Sequence, residues 1–330
     1  MKGLLRRWQS HREARVLARR AIPENLWRLT LARLPFLAHR SASDQAELRR
    51  LSSLFLDEKE FTGAGGLVVD DEIAVCIAAQ ACLPVLRSGL APYRSFVGIV
   101  VHADEVVAHR EVTDEHGIVH HYDEWLTGEA MAGGPVMLSW RDASEAGESA
   151  DWGYNVVIHE FAHVLDMGDG EADGVPPMPD PAQRAEWIAL IDAEYERFCG
   201  EVDAGFETLI DPYGATGVDE FFAVAVESFF VTPNELRGKI TAAMNLMESS
   251  LRVESFPRDP ASQQDGAWWF RRGMEYADAC LYEESCACLN RAVAAGSYNF
   301  ETHYCLAGLY KSLERLDKAL LPIQGALLAA

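Results

Sequence analysis

Between Asn155 and Asp166 apolar residues fill almost every position around a helical wheel. Val156, Val157, Ile158, Phe161, Ala162, Val164 and Leu165 leave only His159, Glu160 and His163 polar. A helix that is apolar nearly all round is a buried helix. A second such run begins at Asp219 and carries Phe221, Phe222, Ala223, Val224, Ala225, Val226, Phe229 and Phe230, with Glu220 and Glu227 embedded in it. Pro212, Gly214 and Gly217 mark the turn before it. Residues 71–90 read as a long, central apolar helix. Residues 42–59 read as a helix with Ser43 as its cap, and residues 181–198 as an ordinary half-exposed helix. Strands are expected at 96–101 and 136–140, with a turn and short strand at 61–69 around Gly63, Gly65 and Gly66. The pattern predicts an α+β fold, mostly helical with a small sheet.

Length and composition narrow the class. The chain has 330 residues, of which 49% are hydrophobic, enough for a sizeable core. No apolar run reaches the roughly 18 residues of a membrane span, and the first 22 residues lack the apolar centre of a signal peptide. The seven cysteines show no metal-ligand spacing and suit a reduced interior. A cytoplasmic protein is expected, with no transmembrane segment. The net charge of -22 is unevenly spread. Residues 1–40 hold Lys2, Arg6, Arg7, Arg12, Arg15, Arg19, Arg20, Arg28, Arg33 and Arg40 against only Glu13 and Glu24. This basic helical arm is expected to lie on its own acidic body, membrane-surface or nucleic-acid contact being the alternative. The strongly acidic remainder argues against nucleic acid as a substrate.

The chemistry concentrates in the first buried helix. His159-Glu160-x-x-His163 places two imidazoles on one helix face, half of a tetrahedral zinc site. Glu160 follows the first histidine and can reach a metal-bound water as general base, the geometry of a zinc peptidase. Core histidines with ordinary hydrogen bonds are the competing reading. A third ligand is required, and Glu220 is the best downstream candidate; otherwise it is a first-turn acid facing the helix dipole. Glu227, two turns on, is either the partner of a buried group or an acceptor for a ligand imidazole N–H.

His-Glu-Phe-Ala-His-Val-Leu-Asp (159–166), Asp-Pro-Tyr-Gly-Ala-Thr (211–216) and Glu-Phe-Phe-Ala-Val-Ala-Val-Glu-Ser-Phe-Phe (220–230) resemble the Mlc titration factor A family of bacterial zinc peptidases. The blocks at 134–140 and 71–82 are similar to further family segments, in the same order, so the resemblance runs over about 51–258. It implies a zincin-like domain of the gluzincin type at 41–262, with one Zn2+ per chain and aminopeptidase-like activity on a peptide or protein substrate. By matching positions His159, His163 and Glu220 would bind the metal, and Glu160 would activate the water. Tyr213 would donate to the developing oxyanion. His120, in the segment Gly117-Ile118-Val119-His120-His121, is a candidate fourth ligand of a closed form, or else an exposed loop histidine. The family also implies a transcriptional repressor as partner, in the regulation of sugar uptake. A binding protein that sequesters a regulator is therefore the rival function.

Three further features complete the reading. Zincins pair extended substrate with a strand beside the active-site helix, and residues 134–138 are the candidate, since Pro135 suits the start of an edge strand. Asp166, Asp169, Glu171 and Asp173 form an acidic turn without EF-hand spacing; Asp166 could instead accept from a ligand histidine. In the tail, Trp269, Gly273, Tyr276, Ser285, Leu289 and Ala292 recur 34 residues later as His303, Ala307, Tyr310, Ala319, Ile323 and Ala326. That period resembles the tetratricopeptide repeat. Two such repeats, over 263–330, are expected to serve protein–protein contact.

Overall fold

The computed structural model describes residues 2–113, 119–147, 153–170, 172–178, 180–206, 208, 210–232, 270, 273–274, 277, 282–294 and 300–313. The chain divides into two compact units, Met1–Pro257 and Arg258–Ala330.

The first unit is mostly helical with a small mixed sheet. It opens with α1 (Lys2–Arg20), α2 (Glu24–Arg33), α3 (Pro35–Ala38) and α4 (Ala42–Glu58). The α1 helix lies along α4, held by Val16 in the core and by ion pairs of Arg12 with Glu58, Arg20 with Asp57 and Glu13 with Arg50. Ile22, Trp27, Leu34 and Leu37 enter the main core. The cap of α4 is Ser41 rather than Ser43, its side chain accepting from the Asp44 amide at 3.1 Å. A cap hydroxyl serves the amide of the second or third helical residue, and Ser41 stands at that distance.

The sheet follows. β1 (Glu60–Gly63) leads through α5 (Asp71–Ala81) to β2 (Gly98–His102), paired in parallel with β1. The apolar run continues past Ala81, but α5 stops there because Pro84 lacks an N–H and disfavours helix at the residue before it. A separate antiparallel ribbon, β3 (Val106–Thr113) with β4 (Val119–Leu126), precedes β5 (Gly128–Ala130) and β6 (Val136–Ser139). The strand order is β1-β2-β6-β5, with β6 parallel to β2 and β5 antiparallel to β6. The predicted 134–138 strand is thus interior, and the edge belongs to β5.

The remaining helices complete the core. They are α6 (Trp140–Glu145), α7 (Val156–Asp166), α8 (Pro181–Asp203) and α9 (Val218–Val231), with a 3-10 turn at Pro212–Thr216 before α9. Phe161 anchors α7 in an aromatic cluster with Phe55, Tyr93 and Phe96, at centroid separations of 5.7, 5.0 and 5.8 Å. The opposite flank of α7 packs on α9, whose residues 221–230 are all buried.

In the second unit α10 (Tyr282–Ala294) packs on α11 (Phe300–Ser312). Cys286, Leu289, Leu306 and Leu309 form its core. Leu289 occupies the space left at Gly273, where an added Cβ would stand 2.7 Å from it. Trp269, Tyr276, Ala319, Ile323 and Ala326 of the expected repeat lie outside the described residues.

Candidate metal centre

α7 starts at Asn155, whose side-chain oxygen accepts from the Ile158 amide at 2.9 Å. One turn further in, His159 and His163 bring their Nε2 atoms within 3.2 Å of each other. Glu220 arrives from the first turn of α9, its Oε2 lying 3.0 Å from His159 Nε2 and 3.4 Å from His163 Nε2. Among the described residues this is the one group of three His, Cys, Asp or Glu side chains whose ligand atoms all fall within 4.8 Å of one another.

The group fits a small divalent cation. Atoms bound at about 2.0–2.2 Å to a tetrahedral ion stand about 3.3–3.6 Å apart, close to the three separations found here. Glu220 Oε2 is buried and has no hydrogen-bond partner, near as the imidazole nitrogens are. A buried oxygen left in that state is costly, and a cation between the three atoms would satisfy it.

A buried polar network fixes the tautomer of the first histidine. His159 Nδ1 lies 2.7 Å from Glu227 Oε1. A carboxylate there accepts a hydrogen bond from Nδ1–H, which turns Nε2 towards the site. Glu227 Oε2 accepts from the Asn155 backbone amide at 2.5 Å. The Asn155 side-chain amide donates to Gln80 Oε1 at 2.9 Å, and Gln80 Nε2 donates to the Ala143 carbonyl at 3.1 Å. Gln80, Asn155 and Glu227 are all buried. Glu227 thus partners both the His159 imidazole and the buried Asn155 amide. Asn155 and Gln80 are members of this buried network that the sequence pattern did not single out. A glutamine inside the apolar run 75–82 and an asparagine just before an apolar helix were the available signals.

Charge is strongly redistributed here. Burial opposes protonation of His159, but Glu227 and Glu220 outweigh it and raise its pKa well above the ordinary imidazole value. Burial also opposes ionisation of Glu220, yet the two imidazoles hold its carboxyl well below the usual carboxylate range. Burial pushes Glu160 up to about 7, against the pull of His159 and His163. Tyr213 sits on the Pro212–Thr216 turn with its hydroxyl donating to Glu220 Oε1 at 3.4 Å. Its ring centroid is 6.3 Å from that of His159. At 50% exposed it borders the site on the solvent side.

Other expectations fall differently. Asp166 does not serve a ligand histidine: its Oδ2 accepts from the Gly174 amide at 2.9 Å, which ties the following turn back onto α7. Glu171 of that turn lies outside the described residues, and the described acids there form no convergent ligand group. His120 pairs with Val112 across the β3–β4 ribbon, and its side chain lies outside the described residues.

Two histidines on α7 and a glutamate from α9 form a group that could hold a metal ion, with the buried Glu160 beside the first histidine. Comparison with known proteins agrees: residues 5–252 match the glucose-regulated metallo-peptidase M90 family, and the chain belongs to that family. It is 36% identical over 233 residues to an uncharacterised protein of Synechocystis sp., covering 70% of this chain and 84% of the relative. It is 34% identical over 209 residues to Mlc titration factor A of Cronobacter sakazakii, covering 63% of this chain and 78% of the relative. The same protein of Klebsiella pneumoniae is 34% identical over 210 residues, with 63% and 78% covered. The matched family region ends before the second unit.

Proposed function

We propose that this chain is a zinc-dependent peptidase of the gluzincin type, with aminopeptidase-like activity and one Zn2+ per chain. His159, His163 and Glu220 would hold the ion. What carries the reading is the convergence of two Nε2 atoms and an orphaned carboxylate oxygen next to a buried glutamate. Zinc at this position would polarise the scissile carbonyl and lower the pKa of a water towards about 7.

The chain's own groups do the rest. Glu160 takes a proton from the attacking water and returns it to the leaving amine. Its pKa near 7 suits a group that must accept and then release a proton around neutrality. Glu227 holds His159 in the Nδ1–H tautomer. The Tyr213 hydroxyl turns from Glu220 to the oxyanion that develops on the carbonyl. An extended substrate pairs with β5, the edge strand beside α7. His120 is retained as a fourth ligand of a closed form.

The test is metal content together with hydrolysis of aminoacyl chromogenic substrates. About one zinc per chain and chelator-sensitive cleavage are expected; absence of zinc overturns the reading.

A second reading rests on the relatives' name, Mlc titration factor A. In it the chain acts in the cytoplasm by capturing a transcriptional repressor, the tetratricopeptide-like pair at 263–330 supplying protein contact, with no nucleic acid bound. Among the described residues no helix is long and apolar enough to cross a membrane. Repressor capture by a zinc-free His159→Ala variant would favour this role over proteolysis.

A further inference from the structure

Gly128, the first residue of β5, faces the carboxyl group of Glu160. A Cβ placed on Gly128 would stand 2.5 Å from Glu160 Oε1, 2.6 Å from its Cγ and 2.8 Å from its Cδ. Its three nearest neighbours are thus all atoms of one side chain, and all lie closer than a real Cβ contact allows. The requirement for glycine here is spatial, because Gly128 has an extended strand backbone and is not among the positive-φ glycines.

The walls of this slot are fixed on both sides. β5 pairs with β6 at Gly128–Leu138, Glu129–Met137 and Ala130–Val136. The preceding Thr127 carbonyl accepts from the Ser139 amide at 2.7 Å, and its hydroxyl accepts from Tyr154 OH at 3.0 Å. On the other side α7 is locked by Phe161 in the aromatic cluster and by the buried Asn155 cap. A methyl group at 128 therefore meets two immovable backbones and one movable carboxylate, so the carboxylate is displaced.

We propose that Gly128 is a positioning residue for the reaction. The absence of its side chain forms the slot that holds the Glu160 carboxylate at its working place, so that the edge strand which would receive substrate also sets the general base. The proposal rests on the peptidase reading for its catalytic consequence, but not for the slot itself.

The experiment is a double-mutant cycle of Gly128→Ala and Glu160→Ala in the full-length, zinc-loaded protein, read by thermal unfolding, zinc stoichiometry and steady-state kinetics. Gly128→Ala alone should keep one zinc, lower Tm by about 2–10 °C, the range that overpacking by one methyl group implies, and lower kcat about 10²-fold with little change in KM. In the Glu160→Ala background the same substitution should leave Tm within about 1 °C. An equal Tm penalty in both backgrounds, or none in either, overturns the slot. Should Gly128→Ala fail to fold, folding restored by Glu160→Ala supports the slot, and persistent failure overturns it. A wild type that hydrolyses no peptide refutes the peptidase reading alone, because the Tm cycle still decides the packing.

Discussion

Glu227→Gln isolates the network behind the first ligand. The wild-type carboxylate accepts two hydrogen bonds, from His159 Nδ1 at 2.7 Å and from the Asn155 amide at 2.5 Å. An amide has one oxygen, so the replacement can serve only one of these donors and must turn its own NH2 towards the other. If the oxygen stays with Asn155, His159 loses a charge-assisted partner, a loss of about 1.5–3 kcal/mol. Removal of such a support behind a metal-bound histidine costs about 10–100-fold in metal affinity, which is about 1.4–2.8 kcal/mol and the same scale. Zinc affinity measured by competition with a chromophoric chelator should fall within that range. The deficit should also depend on pH. Despite burial, Glu227 and Glu220 keep the metal-free His159 protonated to an unusually high pH, so in the wild type a proton competes with the ion. The variant relieves that competition, and its deficit should be largest in alkaline buffer and shrink on acidification. Affinity within about twofold of wild type across the pH range would refute the assigned role of Glu227.

Glu160→Gln should retain the metal while turnover drops by about 10²–10⁴; wild-type turnover in zinc-loaded variant would exclude it as the base. Asn155→Ala removes the α7 cap and strands Gln80 in the core, a combined loss of about 2–4 kcal/mol; an unchanged denaturation midpoint contradicts this. Burial raises Asp166 to about 7, above the roughly 3.9 of an unfolded chain. The folded protein then binds the extra proton between those values, so its stability contribution is complete below about pH 4 and is lost as pH rises to about 7. Tm of wild type minus that of Asp166→Asn should therefore be smaller at pH 8 than at pH 4.5, and a pH-independent difference speaks against it.

The convergent cluster of His159, His163 and Glu220 was legible because its parts are local. Two histidines four apart on an apolar helix, and a glutamate at the head of a second apolar helix, can be read without knowing how the helices meet. What the linear pattern could not supply was the meeting itself. Gln80 and Asn155 are 75 residues apart and join only when α5 and α7 pack. The three residues Gly128, Glu129 and Ala130 show neither alternation nor β-branching, so β5 was invisible and Pro135 drew the edge to the wrong strand. Pro84 did carry the end of α5, but the apolar run across it masked the signal.

The shortness of β5 has a consequence for the molecule in a crowded solution. An exposed strand edge is a template on which a second copy can add itself, and long flat edges lead to aggregates. Three residues, one of them a glycine and one an acid, offer too few backbone groups for such growth to nucleate. The sheet can keep an edge open beside its chemistry without seeding fibres.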